Sequence, residues 1–516
     1  MSDKKGSVVK RVLTWSFPYA NKDLPEYRTK ERNMFAFGML GQNLIFAMVN
    51  TYLSVFYSTV IFVPAMALLV VTVISRIWDA INDLMMGTIV DRTHSRWGKC
   101  RPYLKYVPIP IGIFTVLMFI PVRSLGDAAK VVFVIATWLS WELLYTLGDI
   151  PLWGMTSVMT PDTKKRTELV SAARIVGGLS AVVGFVFEPI VNVFASKDIG
   201  WFDGAAEKVG YDYYSYQQGY FFAVLLVAVI GTALFKIPFI FTRERIRPTQ
   251  TSDNITFKQS AKLLLSNKFF LRAVLSNILG CTRNLVTSAG IYYCMWVLAN
   301  GGNYTLWLAA LGGPFFVGMG AAMIFAGKLD MKYGKIKVQI WLSYLGAIPY
   351  LVGFAVMYLC GVGVWQMIIM GVCMALAGFG SGLQPVYTTT MIEDSVDYVE
   401  WQTGSRYDGV FLSGLNFCAK LTNAVTLAIT YLVFWIVNYT VRIEALTDAI
   451  SAGKNTLDFS GEYPDIALAL LILITLIPAV GSILQALPLH GYKLTNEMHA
   501  EIIKDLKERR EAKEEN

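Results

Sequence analysis

The chain has 516 residues, of which 55% are apolar and 16% charged, with a formal net charge of +8 and a mean hydropathy of +0.48. That much apolar surface cannot be hidden in one water-soluble core, and the composition excludes disorder, collagen-like repeats and nucleic-acid binding as the main role. Apolar blocks of roughly 20 residues or more match the ~30 Å hydrocarbon layer and are too uniformly apolar for barrel strands, so the reading is an all-α membrane protein in a lipid bilayer.

Residues 1–33 are polar and basic, lack the apolar stretch of a cleaved signal, and are expected to be a cytoplasmic N-terminal segment. Twelve apolar spans follow, near 34–59, 64–90, 104–122, 131–159, 171–195 and 220–241, then 271–298, 306–327, 338–360, 364–391, 410–437 and 465–489. They group into a first six-helix bundle (34–241), a basic cytoplasmic middle loop (242–270), a second six-helix bundle (271–490) and a cytoplasmic tail (491–516). Only six Lys and Arg fall in the odd-to-even loops, at Arg123, Lys130, Lys197, Lys208, Arg442 and Lys454, so both termini are expected in the cytoplasm and the protein in the plasma membrane. The tail alternates in charge and puts Ile502, Ile503 and Leu506 on one side, which predicts a short solvated helix on the inner membrane surface.

Ionisable groups inside spans cost about 2.5–3.5 kcal/mol each at mid-membrane, so they mark partners, water or function. Span two carries Arg76, Asp79 and Asp83; span four carries Glu142 and Asp149; span five carries Arg174 and Glu188; span seven carries Arg283; span eleven carries Lys420. Asp79 and Asp83 lie one turn apart on one helical face. Two such carboxylates repel unless a small hard cation such as Na⁺ sits between them or one is protonated, the requirement for ion coupling. Asp149 would add a third carboxylate, with Asn82 and the Thr146 hydroxyl as neutral ligands. The competing reading is an ion-pair network in which Arg76 neutralises Asp79.

Asp149-Ile150-Pro151-Leu152-Trp153 sets a carboxylate beside an indole, a pattern suited to sugar hydroxyls and the C–H face of a sugar ring. Arg174 and Lys420 could balance the acids and donate to substrate oxygens, with pairing to Asp149 or Glu142 as the alternative. Glu188 and Arg283 read as structural. Glu393, Asp394, Asp397, Glu400 and Arg406 lie at the inner end of span ten, as ion-pair partners for basic loops or as a solvated charged loop.

Arg96-Trp97-Gly98-Lys99-Cys100-Arg101 after span two and Lys332-Tyr333-Gly334-Lys335-Ile336-Lys337 after span eight form a weak internal repeat. Together with Gly87 and Asp91-Arg92, it suggests the duplicated six-helix halves of the major facilitator fold. Convergence of positive-inside loops on Gly and Lys is the alternative explanation.

Arg76-Ile77-Trp78-Asp79-Ala80-Ile81-Asn82-Asp83, Ser95-Arg96-Trp97-Gly98-Lys99, Asp149 to Trp153, Asp394-Ser395-Val396-Asp397-Tyr398 and Thr403-Gly404-Ser405-Arg406 resemble the glycoside, pentoside and hexuronide cation symporters, the family of melibiose permease, across about 34–490. The resemblance implies alternating access between two rocking halves and a secondary active symporter that couples sugar or glycoside uptake to Na⁺ or H⁺, with no cofactor. It implies a cation site at Asp79, Asn82, Asp83, Thr146 and Asp149, with Asp79, Asp83 and Asp149 as the metal ligands if Na⁺ couples. It implies a substrate site at Asn43, Arg76, Asp149, Trp153, Arg174 and Lys420, and a cytoplasmic gate at Arg96, Lys99, Asp394, Asp397 and Arg406. Gln42-Asn43 replaces the Lys-Asp pair of melibiose-type members, which points away from a galactoside and toward an acidic sugar such as a uronide or sulfo-sugar. The alternatives are a cation-coupled lysolipid carrier and a non-transporting membrane sensor. An enzyme is not expected, because His94, His490 and His499 fall at loops or ends and no nucleophile grouping stands out.

Overall fold

The computed structural model describes residues 28–91, 93, 95–160, 163–195, 213–245, 257–301, 304–404, 407–451 and 458–514. Arg92, His94, Lys197, Lys208, Ser405, Arg406 and Lys454, named above, lie outside them. The described chain is almost wholly helical, as the absence of water in hydrocarbon demands of a backbone.

The first half supplies α1 (Thr29–Val55), α2 (Ala65–Asp91), α3 (Arg101–Tyr106), α4 (Pro108–Met118), α5 (Asp127–Val158), α6 (Thr163–Gly178), α7 (Val183–Ala195) and α8 (Tyr213–Phe235). The second supplies α9 (Lys268–Leu279), α10 (Leu285–Tyr292), α11 (Thr305–Tyr333), α12 (Lys335–Leu345), α13 (Ala347–Cys360), α14 (Val364–Thr403), α15 (Asp408–Ile436), α16 (Tyr439–Ser451), α17 (Pro464–Ile474), α18 (Leu476–His490) and α19 (Asn496–Glu514). Among the described residues nine helices are long and apolar enough to cross a membrane. The three other expected spans are helical too: the second carries charges, the third is short, and the seventh is interrupted by a 3-10 segment at Gly280–Asn284.

The chain divides into two compact units, Met1–Thr251 with Thr440–Lys454, and Ser252–Tyr439 with Asn455–Asn516. Unit 1 thus includes most of α16, on which Glu444 and Asp448 pair with Arg123. Its core runs along α1, where Tyr52 and Phe56 pack against Phe119, Phe187 and Tyr220. In unit 2, α11 and α14 are pressed backbone to backbone through Gly318, Gly378 and Gly382. A Cβ on Gly378 would lie 2.8 Å from the Phe315 carbonyl carbon, and one on Gly382 2.8 Å from the Met319 Cα. Small residues at four-residue spacing permit such approach where apolar burial gives helices no drive to associate in lipid.

Two features recur between the units. Each first span ends in a π-helical turn, Phe56–Val60 and Tyr293–Leu298, followed by a left-handed residue, Phe62 or Asn300. The Gly-Lys repeat also has a common shape. Gly98 (φ 114°) and Gly334 (φ 80°) take positive-φ conformations that residues with side chains rarely adopt. The following lysine N–H is then capped by a carboxylate, Lys99 N by Glu244 Oε2 (2.9 Å) and Lys335 N by Asp330 Oδ1 (2.8 Å).

The expected solvated tail is instead docked. In α19, Ile502 and Leu506, four apart on one face, are buried while Ile503 is exposed. Its Asp505 accepts from the Trp401 indole, and Arg509 donates to the Trp401 carbonyl (3.0 Å).

Candidate functional site

The charged residues of unit 1 meet where α2 packs on α5, a contact fixed by the Trp78 indole donating to the Leu139 carbonyl (3.2 Å). Asp79 and Asn82 are buried and Asp83 is half-buried, so this face of α2 turns away from lipid. Arg76 Nη1 pairs with Asp79 Oδ2 at 2.9 Å, the i,i+3 pairing that competes with an ion site. From α5, the Thr146 hydroxyl donates to Asp83 Oδ1 at 3.5 Å. Asn82 Nδ2 donates to the Glu142 carbonyl (3.2 Å), which turns the amide so that its buried Oδ1 has no hydrogen-bond partner. The α2–α5 seam therefore carries two carboxylates, a hydroxyl and an amide oxygen, all hard oxygen donors.

Asp149, one turn beyond Thr146, is held by another partner. Gln42 of α1 donates to Asp149 Oδ1 (2.8 Å) and also contacts the Tyr145 hydroxyl, and Tyr145 stacks on Trp141 (centroids 4.8 Å apart). Among the described residues no three His, Cys, Asp or Glu side chains are grouped closely enough to hold a metal ion. The expected three-acid cage of Asp79, Asp83 and Asp149 is thus not assembled here. Arg76, Thr146 and Gln42 each engage a different one of these carboxylates.

Of the expected substrate residues, Trp153 and Arg174 are brought together, with the guanidinium 5.7 Å from the indole ring centre. Arg174 is exposed, Trp153 half-buried. Asn43 turns its amide back onto the Met39 carbonyl of its own helix (2.8 Å), against Gly177 of α6. Lys420 is half-buried on α15 of unit 2. Glu142 accepts from the Trp138 indole (2.8 Å) and Glu188 from the Tyr216 hydroxyl (2.8 Å).

Of the gate residues, Arg96 is exposed and lies over Trp97 at 4.3 Å, while Lys99 uses its backbone N–H on Glu244. Glu244 also accepts from the N–H groups of Cys100 (2.7 Å) and Arg101 (2.9 Å), capping α3. In unit 2, Asp394 is buried in a pair with Lys335, and His499 of α19 lies 3.6 Å from Asp394 and 3.0 Å from Asp397. Burial and the Asp394 charge raise the pKa of the neighbouring Tyr492 hydroxyl. Sequence alone does not single out Glu244, Tyr145, Lys335 or His499 as site residues. Lys335 alone carries a signal, its place in the repeat.

A helical chain of two such units with acids and arginines buried in its spans has the build of a major facilitator transporter. The sequence profile of the MFS/sugar transport protein family matches residues 34–496. The chain belongs to that family, the glycoside–pentoside–hexuronide group, and is a multi-pass membrane transporter, not an enzyme. It is 27% identical to the isoprimeverose transporter of Lactiplantibacillus pentosus, over 81% of this chain and 83% of that one. It is 24% identical to the glucuronide carrier protein homolog of Escherichia coli strain K12, over 93% and 96%. In fold it is similar to a bacterial homolog of the human lysosomal transporter Spinster, crystallised inward-facing and unoccupied, with a TM-score of 0.58, 12% identity and 90% and 94% coverage.

Proposed function

We propose that the protein is a secondary active symporter that couples the Na⁺ or H⁺ gradient across the plasma membrane to movement of a sugar or glycoside, with both termini in the cytoplasm. The observation that carries this reading is the oxygen set on the α2–α5 seam: Asp83 bonded to Thr146 beside the unpartnered amide oxygen of Asn82. A buried acceptor without a donor is costly and is relieved by a cation.

A cation would bind Asp83, Asn82 and Thr146 and draw Asp79 from Arg76, freeing a guanidinium for the substrate. Asp149 joins either the cation or the sugar once it leaves Gln42, and that choice links the two binding events. Linkage then requires the sugar to tighten the cation as much as the cation tightens the sugar. For H⁺ coupling, protonation of Asp83 takes the cation's place. Trp153 stacks on the sugar ring. Arg174, Asn43 and Lys420 are proposed to donate to its oxygens, and the two cations favour an acidic sugar. Arg96, Lys99, Asp394, Asp397 and Arg406 are proposed to close the cytoplasmic side.

The reading is tested by uptake of a labelled panel of neutral and acidic glycosides into vesicles under imposed Na⁺, Li⁺ or H⁺ gradients. One cation gradient should drive accumulation of at least one glycoside, and Lys420→Ala should weaken acidic glycosides more than neutral ones. Uptake that never exceeds equilibration under any gradient contradicts coupling.

A further inference from the structure

Unit 2 buries a cation that the transport reading does not use. Arg283 sits in the 3-10 break of the seventh span and is 2% exposed. Its Nε donates to Ser482 Oγ of α18 (2.8 Å) and its Nη1 to the Gly380 carbonyl of α14 (3.2 Å), while Nη2 has no hydrogen-bond partner. Among the described residues no carboxylate forms an ion pair with it. A guanidinium stays charged, and sealing an uncompensated charge from water costs more than neutral acceptors return.

The surroundings are rich in donors. Ser343 of α12, completely buried, has no partner for its hydroxyl, and Gly346, one turn on, approaches Nη2. Gln485, one turn beyond Ser482 and also completely buried, has no partner for either end of its amide. The Tyr350 hydroxyl of α13, one turn beyond Gly346, is likewise buried without a hydrogen-bond partner. The C-terminal carbonyls of α9 put only partial negative charge beside the 3-10 break, and α12 and α13 run on through Gly346 as one span of Lys335–Cys360. Hydroxyls, an amide and a spare guanidinium N–H around an uncompensated positive charge lack one thing, a small acceptor of charge −1.

We propose that the core of unit 2 binds a halide-sized monovalent anion, chloride in the cell, on Nη2 of Arg283, with the Ser343 and Tyr350 hydroxyls as further donors. The site would act as a fixed counter-charge that holds spans seven, nine, ten and twelve together, and it shares no residue with the proposed cation and sugar sites.

The test is thermal unfolding of the purified full-length protein in chloride, bromide and gluconate at fixed sodium and ionic strength. Chloride and bromide should raise the melting temperature saturably over gluconate, and a bromide anomalous peak should sit at the guanidinium. Ser343→Ala and Tyr350→Phe should each weaken half-saturation by about 3- to 10-fold, the worth of one hydrogen bond. Arg283→Gln should abolish the halide response. If Arg283→Gln does not fold, the native protein with the Ser343 and Tyr350 variants decides. Equal melting in halide and gluconate, or a halide response unchanged in both variants, overturns the proposal and leaves Arg283 neutralised by carbonyls alone.

Discussion

The α11–α14 contact gives a stability prediction whose sign opposes helix propensity. In an exposed helix, Gly→Ala gains about 1 kcal/mol. At Gly378 the added methyl would lie 2.8 Å from the Phe315 carbonyl carbon, 3.0 Å from its Cα and nearer still to its oxygen, all backbone atoms that cannot rotate aside. Carbon atoms settle about 3.5–4 Å apart, so the helices must part by roughly 1 Å along the seam. Overpacking of this kind costs about 1–3 kcal/mol, leaving a net loss of up to about 2 kcal/mol after the propensity gain. Gly320 also lies on α11, but a Cβ added there would meet nothing within 4 Å, so Gly320→Ala serves as the control and should be neutral or stabilising. Both variants are compared by thermal unfolding in detergent. Gly378→Ala should melt below the native protein and Gly320→Ala at or above it. Equal melting of the two would refute the close backbone contact.

Other expectations follow from single contacts. Glu244→Ala leaves three N–H groups at the start of α3 without their acceptor and should cost about 0.5–2 kcal/mol, read by unfolding, with Glu244→Gln recovering part of it. Leu506→Ala should release α19, at a cost near the low end of the roughly 2–5 kcal/mol range for core truncation because the site adjoins the surface, and should expose the tail to protease. The indole of Trp401, then Arg509, hold the Asp505 carboxyl below its ordinary pKa. Its contribution to docking is therefore complete above the ordinary carboxylate range and lost as pH falls through the lowered value. Tail protection in Asp505→Asn should be weaker at neutral pH and should lack that acid-dependent loss. Gln42→Leu should free Asp149 and change cation affinity measured in the absence of sugar, whereas Asn43→Ala, whose amide bonds to the Met39 carbonyl of its own helix, should leave that affinity unchanged.

Features carried by local pattern are legible in the sequence, and those made by distant contacts are not. Apolar runs mark the spans, and the i,i+3 spacing of Arg76 and Asp79 displays their pairing. At the break in span seven, Gly280 faces Gln485 and Gln384, residues far along the chain that no local pattern pairs with it. Gln42 reaching Asp149 across 107 positions, and Glu244 reaching Lys99 across 145, exist only once helices pack. The tail's buried stripe is half legible, since Ile502 and Leu506 share a face that Ile503 does not. Spacing groups the acids of the candidate ion site together. Their partners Arg76, Thr146 and Gln42 come from three different helices, α2, α5 and α1, which spacing along the chain does not bring together.

Asp83 tests the central claim most directly, through concentrative uptake and substrate exchange measured side by side in vesicles for the native protein and Asp83→Cys. The account predicts that Asp83→Cys loses accumulation against a gradient while retaining downhill exchange of the same glycoside. Undiminished, cation-driven accumulation in Asp83→Cys would contradict it.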